Sequence, residues 1–555
     1  MIPAGLRASL GDEPADLVCE NCNLFNPFTC EWEHTSFAVQ DGIVVGVGEY
    51  RGRSVLDMGE ARVVPGLIDA HVHIESSLLT PSEYGRLVAS CGTTTVIADP
   101  HEIANVAGAA GLDYMLEERR HTPLDIFYML PSCVPATPLD VGGAQLSARD
   151  LVPFLDREGI LGLGEMMNVP GVLAGDAEVW AKINLCDMID GHAPLLGGTP
   201  LNAYVYAGMS SDHECTGAAE AAEKLRRGMA VFVREGSTEK NIAALAAIIS
   251  PCTASRCCFA TDDRHADMLA VEGHIDDCIR KAIRAGVDET LAIRMATLSP
   301  AEHYRLRDRG AIAPGRIADF CVLSGGDDFR VARTFKRGVE VRPAPPCMRP
   351  CLRREFACAP LSRADLVIEG SGRARVIGLV EHQILTREIV MEVDGRMLPD
   401  TGNDILKAVV CDRYRQQGCG IGLVHGFGLK EGAIAGSVSH DAHNIVAVGA
   451  DDASILRAIR EVIERQGALV AVSGAGTAVL PLECGGLMAR LPYEDVLERL
   501  AALENHVGRM GCIDHPFMYL SFLALTVIPH LRVTARGVFD ADSFEDVPLF
   551  LDQGA

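Results

Sequence analysis

From about Asp16 to Val64, apolar and polar residues alternate in short runs separated by turn formers. Successive side chains of a strand point to opposite faces, so this rhythm predicts strands buried on one side. Ser36–Gly48 (SFAVQDGIVVGVG) reads as two β-rich runs around Asp41-Gly42, a dipeptide suited to a tight hairpin. The rhythm then changes. Apolar runs that end in polar clusters alternate with stretches of helical spacing: VVPGLIDAHVHI precedes PSEYGRLVASC, and TTTVIADPHE precedes ANVAGAAGLDYMLEERR. The alternation continues through DIFYMLPSC, ILGLGEMM, MIDGHAP, MSSDHE, AVFVREG and RCCFATDDRH, which makes eight strand candidates between Val63 and His265.

Apolar strands separated by helices predict an α/β fold with a parallel sheet. Eight such units favour a (β/α)8 barrel over residues 65–305, although counting units leaves a doubly wound sheet open. GAIAPGRIADFCVLSGG (Gly310–Gly326) returns to short strands. It is expected to pair with the N-terminal ones, so that residues 1–64 and 306–345 form one split β-sandwich domain. Residues 346–360 read as a Pro- and Arg-rich linker, and 361–555 as a C-terminal α/β domain.

A chain of 555 residues is too long for one core, which agrees with this division. The formal net charge of -25 opposes nucleic acid and anionic membrane as partners, because both need a basic face. The N-terminus has no apolar stretch of signal-peptide length, and Tyr519–Pro529 is about half the ~20 residues of a spanning helix. Nineteen cysteines without a disulfide rhythm predict reduced thiols and a cytoplasmic protein. Cys19-x-x-Cys22, with Cys30 and His34 nearby, could suggest a zinc knuckle. The pair lies in a strand-forming stretch without a second C-x-x-C, so packing is the preferred reading.

The polar residues at the strand ends change the picture most. His71 and His73, His101 and Glu102, Glu165, His192, His213 and Asp262 each close an apolar run. In a β/α barrel those ends converge on one mouth. Residues two apart on a strand share a face, so His71 and His73 can reach one ion. Mixed imidazole and carboxylate ligands suit zinc, manganese or iron(II). His71, His73, Glu102, His192, His213 and Asp262 are more ligands than one tetrahedral ion uses, so two divalent metal ions are expected, bridged by Glu102, with a bridging hydroxide as nucleophile.

The runs PGLIDAHVHIESS, TTTVIADPHEIANV, LPSCVPATP, GLGEMMNVPGVL, DGHAP, SSDHECT and ATDDRH resemble the adenine deaminase family. The resemblance extends through GAIAPGRIAD, GFGLKEGAIAGSVSHDAHNIVAVG and HPFMYLSFLAL and covers nearly the whole chain. It implies hydrolysis of adenine to hypoxanthine and ammonia, a step of purine salvage, at a binuclear centre. Carried over, His71, His73 and Asp262 hold one metal, His192 and His213 the other, with Glu102 between them. Glu165 becomes the acid that protonates the purine ring, and Asp262 takes the proton of the attacking water and passes it to the leaving ammonia. Manganese is the expected metal, with iron(II) or zinc as alternatives, and a homo-oligomer is expected. Departures are modest: Ala442 stands where serine is usual, Asp412–Gly418 (DRYRQQG) replaces a more usual Arg-His pair, and Phe259-Ala260-Thr261 stands before the Asp262-Asp263 pair where a cysteine is often found.

Rival readings are a related amidohydrolase acting on another aminopurine or cyclic amide, and a non-catalytic metal-binding homologue. The H-x-E plus P-C-x-x-C design of other base deaminases is not met, because Pro251-Cys252 and Pro346-Cys347 lack the second cysteine. Glu75, Ser76 and Ser77 either line the mouth or cap the next helix. Arg264 and His265 follow the last strand and are candidates for substrate contact. His440, Asp441 and His443 either order a turn or form a third metal site. Gly426–Gly436 lacks the lysine of a phosphate loop.

Overall fold

A computed structural model describes residues 4–326, 328–380 and 383–552. Eight parallel strands lie where the alternation places them: β1 (Leu67–Val72), β2 (Thr93–Ala98), β3 (Asp125–Leu130), β4 (Ile160–Met166), β5 (Ile189–Gly191), β6 (Ser211–Asp212), β7 (Ala230–Arg234) and β8 (Cys257–Ala260). Strands β1 to β5 form one ladder and β6 to β8 a second. Two junctions join them. The Ser210 N–H donates to the Ile189 carbonyl at 2.9 Å between β5 and β6. A parallel bridge pairs Val72 with Asp262, where the Asp262 N–H donates to the His71 carbonyl at 3.0 Å. The sheet therefore closes on itself, and the doubly wound alternative is excluded.

Alternation within the strands builds the barrel's two layers. Ile68 and Ala70, Ala230 and Phe232, and Cys258 and Ala260 share the inner core with Ile97 and Met129. Their neighbours Leu67, Val231, Val233, Cys257 and Phe259 pack outward against helical Ile275, Cys278, Ile279 and Ala292. Both faces are covered, which is why these strands read as unbroken apolar runs. The pairing of β1 with β2 slips between Asp69 and Val72. His71 and His73 thereby face the mouth, although inward-facing Ile68 and Ala70 have the opposite parity.

The N-terminal strands join Phe320–Leu323, Val331–Lys336 and Val339–Glu340, so the β-region is split around the barrel. The expected sandwich is one eight-stranded sheet, continuous through the long strand Ala15–Asn26. That strand pairs with Gly52–Asp57 along its first half and with Arg62–Pro65 beyond it. The hairpin turns at Asp41 (φ 53°) and Gly42 (φ 76°). Cys19 and Cys22 pack with Phe37 and Phe320, and burial pushes both thiols up to about 12. That apolar enclosure agrees with the packing reading of the pair.

The C-terminal region holds a second eight-stranded sheet, largely antiparallel, running from Thr386–Met397 at one edge to Gly476–Pro481 at the other. Period-two alternation gives it two apolar faces. Val409 and Cys411 pack with Ile455, Ala458, Ile459 and Val462 of helix Asp452–Arg465. Leu406, Ala408 and Val410 enter the same core as barrel residues Val106, Leu112 and Met115. This shared core seats the C-terminal region on the barrel and brings loop 437–444 and helix Pro516–Phe522 to its mouth. Among the described residues, no helix is long and apolar enough to cross a membrane.

Candidate metal centre

His71 and His73 end β1 with their Nε2 atoms 3.2 Å apart. His73 Nε2 lies 3.2 Å from Asp262 Oδ1, just past β8, and 3.2 Å from Glu165 Oε1, at the end of β4. The other oxygen of Glu165 faces the second histidine pair. Oε2 is 2.7 Å from His192 Nδ1 after β5 and 3.2 Å from His213 Nε2 after β6. All of these side chains are buried. The site residues read from the strand ends thus come together at one mouth, as the barrel topology requires.

The exception is Glu102. It opens the helix His101–Ala107 after β2, and its carboxylate turns toward the C-terminal region. His440 Nδ1 sits against Oε1 and His443 Nε2 against Oε2, both in short contacts. Glu165 is the carboxylate that faces both histidine pairs, whereas Glu102, expected as the bridge, meets His440 and His443 and lies close to His73 and His101. The same geometry removes Glu165 from the role of a free acid, since four imidazoles surround its two oxygens.

The donor set fits cations. Two imidazole nitrogens stand 3.2 Å apart, and ligands at about 2 Å from a shared tetrahedral ion are about 3.3 Å apart. Burial works against charge on Glu165, yet the hydrogen bonds of His101, His192, His213 and His73 hold it well below the usual carboxylate range. Asp262 is likewise held low against burial, by His73 and Arg234. For His71, burial and the neighbouring His213 favour the neutral ring, the form that can coordinate. Compact groups that can hold an ion include His71, His213 and Asp262, and Glu165, His192 and His213.

The cavity over this centre is lined by two kinds of residue. From the barrel come His101, Met167, Glu214, Arg234, Glu239 and Asp263, besides the proposed ligands. Arg234, ending β7, donates to Asp262 Oδ2 at 2.7 Å and to both oxygens of Glu214. Burial pushes Glu239 up to about 7 and Asp263 up to about 6. From the C-terminal region come His440 and Asp441 and an apolar roof of Ile384, Phe522, Leu525, Val527 and Ile528. Arg234 is not a metal ligand type, and its one signal in the sequence is a lone charge closing the apolar run AVFVR. Phe522 and Leu525 fall in the run HPFMYLSFLAL, but nothing local in the sequence places the roof residues at the mouth.

The remaining candidates resolve as follows. Glu75 Oε1 accepts the Ile103 N–H at 3.1 Å, and Ser76 donates to Asp263, so both order the mouth from behind. Arg264 pairs with Glu272 and Asp277 at 2.7 and 2.8 Å, away from the cavity. His265 is buried, with the ring pushed down to about 4 by burial, and does not line the cavity.

Residues 62–341 match the amidohydrolase family, and barrel and match together define the class of the chain. Residues 383–545 match the adenine deaminase C-terminal domain. The chain is 62% identical over 514 residues to the adenine deaminase of Methanoculleus marisnigri, covering 93% of this chain and 99% of that protein. It is 59% identical over 547 residues to the adenine deaminase of Methanoregula boonei, covering 98% of each. Among solved structures, N-acetyl-D-glucosamine-6-phosphate deacetylase from Mycobacterium smegmatis aligns with 59% of this chain and 100% of its own, at 18% identity and a TM-score of 0.46. The chain belongs to the adenine deaminase family.

Proposed function

We propose that this chain hydrolyses adenine to hypoxanthine and ammonia, as its place in the family implies, with two divalent cations, manganese by preference. The observation that carries the metal assignment is the position of Glu165, with one oxygen toward His71 and His73 and the other toward His192 and His213. Asp262 completes the first set, and Glu165 is shared by both. Bound there, the cations would lower the pKa of water so that hydroxide is available near neutral pH.

Water adds to C6 of adenine, the ring nitrogen beside it takes up a proton, and the exocyclic amine leaves as ammonia. Charge accumulates on the ring unless that proton arrives with the addition. His101 is placed to deliver it: its Nε2 lies 3.2 Å from Glu102 Oε1, while Nδ1 points into the centre, 3.2 Å from Glu165 Oε1. Glu102 holds the proton of Nε2, so Nδ1 is the nitrogen that gains and loses one, the logic of a carboxylate orienting a catalytic imidazole. Asp262 handles the other proton, taken from the attacking water and returned to the leaving amine. Arg234 fixes Asp262 Oδ2, which leaves Oδ1 toward the centre. Ile384, Phe522, Leu525, Val527 and Ile528 offer a planar base an apolar wall and keep bulk water from the addition step.

The test is ammonia and hypoxanthine release from protein reconstituted separately with manganese, iron(II) and zinc, over a panel of aminopurines. Adenine is expected to turn over with a plateau at two metal equivalents. Turnover of a different aminopurine only would reassign the substrate, and a plateau at one equivalent would overturn the binuclear mechanism.

A further inference from the structure

Loop 437–444 of the C-terminal region folds back on itself at the barrel mouth. The His443 N–H donates to the Ser439 carbonyl at 2.6 Å, and the Ser439 N–H donates in return to His443 Nδ1 at 3.2 Å. A ring nitrogen that accepts an N–H carries no proton, so the proton of His443 resides on Nε2. That nitrogen faces Glu102 Oε2 in a short contact and is the donor there. It has no lone pair to offer an ion, which speaks against His443 as a ligand in the third metal site considered for His440, Asp441 and His443.

The consequence passes through one carboxylate. With Oε2 taken by His443, Glu102 presents Oε1 to His440 Nδ1 and to His101 Nε2, the latter at 3.2 Å. The His440 ring is itself fixed by stacking on Phe522, with centroids 4.6 Å apart and an angle of 15° between planes. Glu102, His101 and His443 are all buried, so a lost donor leaves a buried carboxylate oxygen short of a partner.

We propose that His443 is a positioning residue for the deamination step. Its Nε2–H fixes the rotamer of Glu102, which fixes the tautomer of His101 and leaves His101 Nδ1 to carry the proton to the base. The C-terminal region thereby supplies part of the catalytic machinery of the barrel. This rests on the assignment of the ring proton to His101 in the reading above.

The experiment uses the full chain loaded with metal. His443→Leu removes the donor, and His443→Gln keeps an N–H in reach of Glu102. His443→Leu is expected to retain the parent metal content and KM for adenine and to lose 10- to 100-fold in kcat, the usual effect of removing an orienting partner. His443→Gln is expected to recover most of that loss. Unchanged kcat in His443→Leu, equal losses in both variants, or a third metal equivalent in the parent that the variants lack would overturn the proposal. If His443→Leu does not fold, the zinc-loaded parent with 15N-labelled histidine decides the matter. The resonances that vanish in His443→Gln must show the neutral Nε2–H tautomer, and an Nδ1–H or metal-bound signature refutes it. This readout needs no turnover, so a parent inactive on adenine would sink the functional reading and leave the tautomer measurement standing.

Discussion

Replacing Glu165 by glutamine separates the two carboxylates that sequence and structure rank differently. Glu165 Oε1 lies 3.2 Å from His73 Nε2, and Oε2 lies 2.7 Å from His192 Nδ1 and 3.2 Å from His213 Nε2. Glutamine keeps the volume and one acceptor, but it removes the charge and turns an NH2 toward one histidine pair. Taking one partner from a buried set of charges costs about 3–5 kcal/mol. At about 1.4 kcal/mol per tenfold, the metals would bind roughly a hundred- to several-thousand-fold more weakly. Metal content after desalting, measured by mass spectrometry alongside competition with a chelator, is expected to fall below two equivalents. Glu102→Gln is the control: both metals remain and kcat drops 10- to 100-fold, because only the orientation of His101 is lost. If Glu165→Gln kept two equivalents at parental affinity while Glu102→Gln shed one, the bridge would return to Glu102 and the geometry argued above would be refuted.

Two further outcomes follow from the cavity lining. Arg234→Met leaves Glu214 and Asp262 buried without their shared cation, and is expected to lower stability by about 3–5 kcal/mol, read as a reduced thermal midpoint of the metal-free protein. Arg234→Lys, which keeps the charge but loses the fork, is expected to fall between parent and Arg234→Met; a midpoint equal to the parent's in both variants would show the pairing to be idle. Ile528→Ala removes part of the apolar roof and is expected to raise KM for adenine by about tenfold at unchanged kcat, the loss of roughly 1.5 kcal/mol of apolar contact. A fall in kcat at constant KM would instead place Ile528 in the chemistry.

The barrel was legible because its signals are local and repeated. Each strand is an apolar run short enough to recognise, and each polar terminus falls where topology gathers it. The His71 and His73 pair required only the two-residue period of a strand, even though a slip in pairing at Asp69–Val72 sets which face they occupy. What the linear order did not contain was the direction of a side chain once its strand had ended. Glu102 and Glu165 are both carboxylates just beyond barrel strands, and nothing in their immediate sequence says which faces the histidines. The difference lies in backbone geometry. Glu102 sits in the first turn of helix His101–Ala107, whose start is held by Glu75 accepting the Ile103 N–H, and its carboxylate meets His440 and His443. Glu165 remains on its strand, pointing inward beside His192.

The direction of Glu102 also explains why the C-terminal region is joined to the barrel by a continuous apolar core instead of a flexible tether. A buried carboxylate needs donors, since an uncompensated charge there would cost several kcal/mol. Barrel residues supply one, His101; the other two, His440 and His443, arrive from 338 and 341 positions further along the chain. Such a contact holds its geometry only if both bodies are fixed to within a fraction of an ångström. Leu406, Ala408 and Val410 belong to the same continuous apolar core as Val106, Leu112 and Met115, and that core provides the fixity next to helix His101–Ala107. A hydrogen-bond distance spanning more than 300 residues cannot be inferred from periodicity, which explains why the strand ends alone did not bring His440 and His443 to Glu102.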